Sequence, residues 1–434
     1  MRFTLLLSLS VAAVVTAAKS RNILYYNQWH SADLPPQSLT RTVTHVMMSF
    51  ASSSLFAAQP AGKYEPFQPL SQVRGFFDHE VKVCLSIGGW GDNSGFDEGV
   101  KTSSSREDFA KNIASTVDML GFDCVDIEWK YPGGNGQDYK QVPNSKKTSQ
   151  IEAFPKLLKE IKKLIGKKEL SIAVPGLERD MIAYVTREIP QINECVDFVN
   201  VLSQSYYDIL RICTILLTLE GYGGAASAID KYISLGFPVS KLVVGVPFYA
   251  KWFITKKGYT CTQPIGCPVE SLENPKNGND TGKSGSVTFE AASFAGPPTK
   301  LMTSPDNTCG VGTIFECTES SCCGDSGWCG STSAHCGNGC QFSYGKCDGV
   351  NISRSFHKAL KDGYTDKKNG GQWYWDPETR VFWSWDTPEL ILKKISFLAD
   401  TRGVTSVMAW ALALDSNDWN RLDAMQRGFA AANA

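Results

Sequence analysis

The chain lacks an excess of charge of either sign: its 434 residues carry 43 Lys plus Arg against 44 Asp plus Glu. Binding to phosphate backbones or to anionic lipid draws on a basic surplus, so nucleic acid and membrane surfaces drop out as partners. Long apolar runs are also lacking, save one at residues 5–15 that is too short to span a bilayer. Arg2 precedes that run and the small residues Ala17 and Ala18 follow it, the pattern of a secretory signal over residues 1–18. The mature chain is therefore expected to be secreted and extracellular, with no membrane segment. No metal or organic cofactor is expected either, because fourteen cysteines in an exported chain read as disulfides instead of metal ligands or redox centres.

What is present is apolar and aromatic. A 42% share of apolar residues supports a full hydrophobic core. Eleven Trp, fifteen Tyr and twenty-two Phe suggest a ligand with flat apolar faces, such as a pyranose. Asn279-Asp280-Thr281 and Asn351-Ile352-Ser353 are glycosylation sequons that an exported chain could use.

Runs of strand-forming residues at 23–26, 43–50, 81–87, 122–129, 170–174, 198–202, 242–249 and 406–412 alternate with helical patterns. Phe109, Ile113 and Val117 share one helical face, with Ser104 and Glu107 placed to form a capping box. Phe154, Leu157, Leu158, Ile161 and Leu164 mark another helix, stopped by Gly166. Eight alternations predict an α/β fold, a (β/α)8 TIM barrel. The gap between strands seven and eight is too long for a loop and turns rich in Gly, Ser, Cys and Trp, which predicts an α+β insertion between strand 7 and helix 7. Residues 19–250 and 376–434 are assigned to the barrel, 251–375 to the insertion, and 305–350 to a small disulfide-rich module inside it.

Strand four reads Asp123-Cys124-Val125-Asp126-Ile127-Glu128-Trp129-Lys130. Side chains alternate along a strand, so Asp126, Glu128 and Lys130 are expected to point together into the barrel, Lys130 nearest the C-terminal mouth. An internal ion-pair ladder would explain three such charges without function. With Ser86-Ile87-Gly88-Gly89-Trp90 on strand three, however, the pattern resembles the family-18 glycoside hydrolases, the chitinases, in their fungal branch. Asp123-x-x-Asp126-x-Glu128-x-Lys130 lies where that family has D-x-x-D-x-D-x-E. The resemblance implies chitin and chitooligosaccharides as partners and a cleft lined by Tyr26, Phe50, Gly89, Trp90, Asp126, Tyr131, Tyr207, Asp208, Tyr249 and Trp410.

The departures bear on activity. In the family the last glutamate protonates the glycosidic oxygen while the substrate's acetamido group attacks the anomeric carbon, an exception to the two-carboxylate scheme. Here Lys130 occupies that position and Glu128 the supporting one. A lysine titrates near pH ~10.4 and is a poor proton donor for this bond. Glu128 lies about 7 Å deeper along the strand, beyond hydrogen-bond reach of the same oxygen. The resemblance therefore implies no catalytic residue, with Asp123, Asp126, Glu128 and Lys130 as degenerate positions and a Glu128–Lys130 ion pair between them. After strand six, residues 209–217 form an apolar run where the family usually has a polar loop.

Eight cysteines crowd between 309 and 347, spaced like a hevein-type chitin-binding module. That resemblance implies the pairs Cys309 with Cys323, Cys317 with Cys329, Cys322 with Cys336 and Cys340 with Cys347. It places Gly324, Ser326, Trp328 and His335 at the sugar-binding positions, of which Trp328 alone is a stacking aromatic. Elsewhere, Cys261 and Cys267 are close enough for a local bridge, Cys84 and Cys124 are either buried thiols or a bridge, and Cys195 and Cys213 stay unassigned. The expectation is a non-hydrolytic chitin-binding protein that sequesters chitin fragments from a host or coats the producer's wall. An active or weakly active endochitinase and a protein-binding scaffold or hydrolase inhibitor are the alternatives.

Overall fold

Apolar runs of five to eight residues between helices bury both faces in a parallel sheet covered by helices, and in the computed structural model that sheet closes on itself into a barrel. It describes residues 19–31, 34–77, 79–203, 222–263, 266–290 and 299–434. Residues 1–18, expected to be a secretory signal, lie outside the described residues, as do Tyr207, Asp208, the apolar run at 209–217 and Cys213. The strands are β1 (Asn22–Asn27), β2 (His45–Ala51), β3 (Lys82–Gly89), β4 (Cys124–Trp129), β5 (Glu169–Pro175), β6 (Phe198–Leu202), β7 (Leu242–Pro247) and a closing strand, Ser406–Trp410. Each pairs with the next in chain order, and the closing strand joins β7 to β1. Every residue of β1, β4, β6 and β7 is buried, as a strand with helices outside and barrel inside requires.

Two helices show how the outer layer is specified. Helix α1 (Ser103–Leu120) turns Phe109, Ala110, Ile113 and Val117 onto the barrel. Its capping box is Thr102 with Ser105, two residues before the expected pair, because Thr102 accepts from the Ser105 amide at 3.0 Å and Ser105 returns the bond. Helix α2 (Ser149–Ile165) buries Phe154, Leu157, Leu158 and Ile161. Its next inward residue is Ile165, one position past the expected Leu164, which is exposed. Among the described residues no helix is long and apolar enough to cross a membrane. The described chain ends meet: Ser20 Oγ lies 2.6 Å from Thr405 Oγ1, and Asn433 Nδ2 donates to the Thr405 carbonyl at 3.1 Å.

The chain leaves the barrel after β7 and forms a five-stranded antiparallel sheet. Its strands run in the order Tyr364–Asp366, Gly371–Asp376, Val381–Trp385, Tyr249–Ile254 and Ser284–Thr288. Trp252, Ile254, Trp383 and Trp385 pack against Phe356 of the helix Ile352–Asp362 to give this unit its own core. The sheet overruns the assigned 251–375 limits at both ends, because Val381–Trp385 pairs with Tyr249–Ile254 and so belongs to the insertion and not to the barrel. The chain re-enters the barrel layer through the helix Pro388–Arg402.

Between these strands the cysteine-rich module is held by Cys309–Cys323, Cys317–Cys329, Cys322–Cys336 and Cys340–Cys347, with Tyr344 as its largest buried ring. Asn338 ties it to the turn that leads into Ser284–Thr288 by donating to the Gly282 carbonyl at 2.7 Å. Cys261 bonds Cys267, Cys84 of β3 bonds Cys124 of β4, and Cys195 is buried outside these bridges.

Candidate functional site

The alternation of β4 carries Asp126 and Glu128 into the barrel, and Lys130 follows at the mouth. The register pairs Asp126 with Ser86 on one side and Ser171 on the other. Asp126 is fully buried and fully bonded. Its Oδ2 accepts from Tyr25 Oη (2.9 Å) and Ser86 Oγ (2.8 Å), its Oδ1 from Ser171 Oγ (2.6 Å) and Asn200 Nδ2 (3.3 Å). Burial pushes its pKa up to about 6 and the Glu128 charge adds to this, while the donated hydrogen bonds pull the other way. Burial, then Asp126 and Glu128, hold the Tyr25 hydroxyl well above the ordinary phenol range.

Glu128 is 1% exposed, and its Oε1 lies 2.8 Å from Lys130 Nζ, whose side chain is 13% exposed. Its Oε2 has no hydrogen-bond partner among the described residues. A lysine held this way is a fixed positive charge at the mouth, with a half-satisfied carboxylate beneath it. Asp123 is elsewhere: it sits before the first residue of β4, at the base of the barrel, where it accepts from the Val83 amide (2.8 Å) and pairs with Arg74 (2.7 Å). It is a structural brace and not a cleft residue.

Two glycines let the site close up. Gly88, at φ +111°, would place a Cβ 2.3 Å from the Glu128 carbonyl oxygen, and Gly89, at φ +98°, one 2.9 Å from the Phe50 ring. Phe50 in turn stacks on Trp410, with centroids 5.6 Å apart and planes at 19°. Tyr25 leans on the same indole at 5.3 Å. These three rings and Asp126 form one contiguous group.

Tyr26 is corrected by the same geometry. Its ring packs against Phe67 and Phe76, outside the barrel, and its hydroxyl donates to the Ser31 carbonyl. The inward member of the pair is Tyr25. Tyr131 and Tyr249 are both buried, Tyr249 with Lys251 Nζ 5.7 Å from its ring centre. Trp90 lines a cavity of about 410 Å³ between the loop after β4, through Gln137, Asp138 and Tyr139, and the insertion, through Glu273 and Asn279. That wall is tied by a hydrogen bond from Tyr139 Oη to Glu273 Oε2 and another from Gln141 Nε2 to the Asn277 carbonyl at 3.1 Å. A cavity of about 460 Å³ beside Lys101, Arg106 and Lys156 contains none of the expected site residues.

Trp328 is half exposed, at 52%, on the cysteine module, clear of its buried core. Sequence reasoning passed over Trp29, which is 64% exposed on the loop after β1. Asn27 Oδ1 accepts from the amides of both Trp29 and His30, and His30 is clamped 2.7 Å from Glu290 of the insertion. An aromatic residue two positions past a barrel strand, on the C-terminal face, was the available signal.

Acids rising along the inner face of one strand toward a group of rings place the chain among barrel proteins of the glycosidase type. The chain belongs to the glycosyl hydrolases family 18, whose model matches residues 21–415. It is 28% identical to chitotriosidase-1 of Mus musculus over 48% of this chain and 47% of that protein. It is 27% identical to a chitinase-like effector of Moniliophthora roreri over 58% of this chain and 63% of that one. The chain thus spans between about half and two thirds of the length of these relatives. Among solved structures, the Rhizomucor miehei chitinase superposes with a TM-score of 0.63 at 17% identity, over 94% of this chain and 99% of that one. A class V chitinase mutant from Nicotiana tobaccum in complex with NAG4 does so with 0.60 at 16%, over 95% and 99%. At these identities the superpositions speak for the fold.

Proposed function

We propose that the chain is a secreted chitinase-like protein that binds chitin and chitooligosaccharides without hydrolysing them. The observation that carries this reading is the Glu128–Lys130 ion pair at the end of β4. Where family 18 places a protonated carboxyl beside the scissile oxygen, this chain offers an ammonium engaged with its neighbour. Removing a general acid costs about 10²- to 10⁴-fold in rate. A positive charge there also opposes an oxocarbenium-like transition state. The grouping of Phe50, Trp410 and Tyr25 supports retained sugar stacking.

The biological role we propose is sequestration of chitin fragments from host recognition. The resemblance to a Moniliophthora protein described as a chitinase-like effector supports it. Titrating chitohexaose calorimetrically while following chain length by chromatography tests the biochemistry. Binding with no shorter products is expected, and turnover at the rate of ordinary chitinases would overturn the proposal. The double variant Lys130→Glu with Glu128→Asp is expected to gain measurable cleavage. Excess protein should also blunt the oxidative burst that chitohexaose triggers in plant tissue, and an unchanged burst would remove the sequestration role.

A further inference from the structure

The loop of the insertion that walls the Trp90 cavity carries a signal that sugar binding does not use. Asn279-Asp280-Thr281 is an N-glycosylation sequon. The backbone around Asn279 is fixed: its carbonyl accepts from the Asn274 amide (2.8 Å) and its own N–H donates to Asn277 Oδ1 (3.0 Å). Its side chain is exposed and makes no hydrogen bond among the described residues. Thr281 donates its hydroxyl to the Ser271 carbonyl at 2.6 Å, inside the turn. The second sequon is built differently. Asn351 is partly buried, and its Oδ1 accepts from the Arg354 amide at 2.9 Å as the N-cap of Ile352–Asp362. One asparagine leaves its side chain exposed and without a hydrogen bond among the described residues; the other spends its side chain starting a helix.

Asn279 lines the same 410 Å³ cavity as Trp90. We propose that Asn279 carries an N-linked glycan whose first sugar rings lie in that cavity against Trp90. In the transfer, Asn279 Nδ2 bonds to C1 of an oligosaccharide donated from a polyprenyl diphosphate carrier. The C1–O bond to the diphosphate breaks, the diphosphate leaves with the electron pair, and the amide gives up one proton. The inference rests on export, which the proposed function includes, and its placement of the glycan does not rest on binding of free oligosaccharide.

The placement has a consequence for affinity. An N-linked core begins with two β-linked N-acetylglucosamine rings, the repeating chemistry of chitin, so the glycan is a tethered competitor for the Trp90 side of the cleft. Tethering on a short arm corresponds to effective concentrations in the mM range, enough to lower the apparent affinity for short oligomers roughly two- to tenfold.

Secreting the full chain from a eukaryotic host and mapping its peptides by mass spectrometry, before and after enzymatic release of N-glycans, tests the modification. A glycan on the Asn279 peptide is expected; an unmodified Asn279 overturns the inference. Iodide quenching of tryptophan fluorescence tests the placement. Both Asn279→Gln and Thr281→Val, two independent ways to cancel the sequon, should expose one further tryptophan, and the gain should vanish when Trp90→Phe is added. A glycosylated protein whose quenching matches that of both variants overturns the placement. Chitohexaose should bind Asn279→Gln about two to ten times more tightly than the glycosylated form, and equal affinities overturn the competition. If neither form binds, the proposed function fails, while mass and quenching still decide where the glycan is and lies.

Discussion

Glu128 and Lys130 differ from a surface ion pair in the water they have lost. A buried pair gains little over apolar side chains of the same shape, yet removing one partner strands the other. Lys130→Met should therefore cost about 3–5 kcal/mol in urea unfolding, and Glu128→Leu with Lys130→Met should recover most of it. Equal losses in the single and double variants would mean that the pair is not coupled. Asp126 makes a second prediction. Its folded pKa of about 6 lies above the unfolded carboxylate value, so the folded state binds the extra proton. The favourable contribution is fully present below about pH 4 and is lost as pH rises through about 6, a swing on the order of 3 kcal/mol. Subtracting the stability profile of Asp126→Asn from that of the parent between pH 4 and 8 should reveal this slope, and a flat difference would contradict it. Asp126 and Glu128 were legible in the sequence because charges inside an apolar strand stand out. Tyr25 and Tyr26 were not separable, because both faces of a barrel strand are buried and composition alone does not set its phase.

At the scale of elements, the parallel pairing of β3 and β4 is reinforced by the Ser86–Asp126 hydrogen bond, by the glycine-permitted approach of Gly88 to Glu128 and by the Cys84–Cys124 bridge. The bridge closes a separation of 40 residues, for which chain entropy gives about 4 kcal/mol. Cys84→Ser with Cys124→Ser should lose stability of that order in chemical unfolding, and a loss under 1 kcal/mol would place the joint elsewhere. The closing strand supplies Trp410, which touches Phe50 and Tyr25. Trp410→Ala should weaken chitohexaose binding by one to a few kcal/mol, whereas Trp328→Ala on the cysteine module should cost less. The reverse ranking, read by calorimetry, would move the main site to the module. All eight barrel strands were visible as β-branched runs, but helix details were not. The true cap of α1 is Thr102, and nothing in the sequence ranks Thr102 with Ser105 against Ser104 with Glu107 until the preceding turn is placed.

For the whole molecule, the change of composition after β7 announced an inserted unit, while its edges escaped the sequence. Strands at both edges are apolar and aromatic like those of a barrel, and only their antiparallel register assigns them to the separate sheet. The wall of the Trp90 cavity escaped it too, because Tyr139 and Glu273 meet across 134 positions of chain. The meeting of Ser20 and Asn433 at Thr405 carries one more consequence. Topologically the fold is a loop of string with its knot tied at an arbitrary spot, so the order in which the barrel units are threaded need not begin at β1. A circular permutant that joins residue 19 to residue 434 through a short linker and opens between the exposed Lys276 and Asn277 should give the same cooperative thermal transition and far-ultraviolet dichroism. A permutant that stays unfolded would show that the native starting point is required after all.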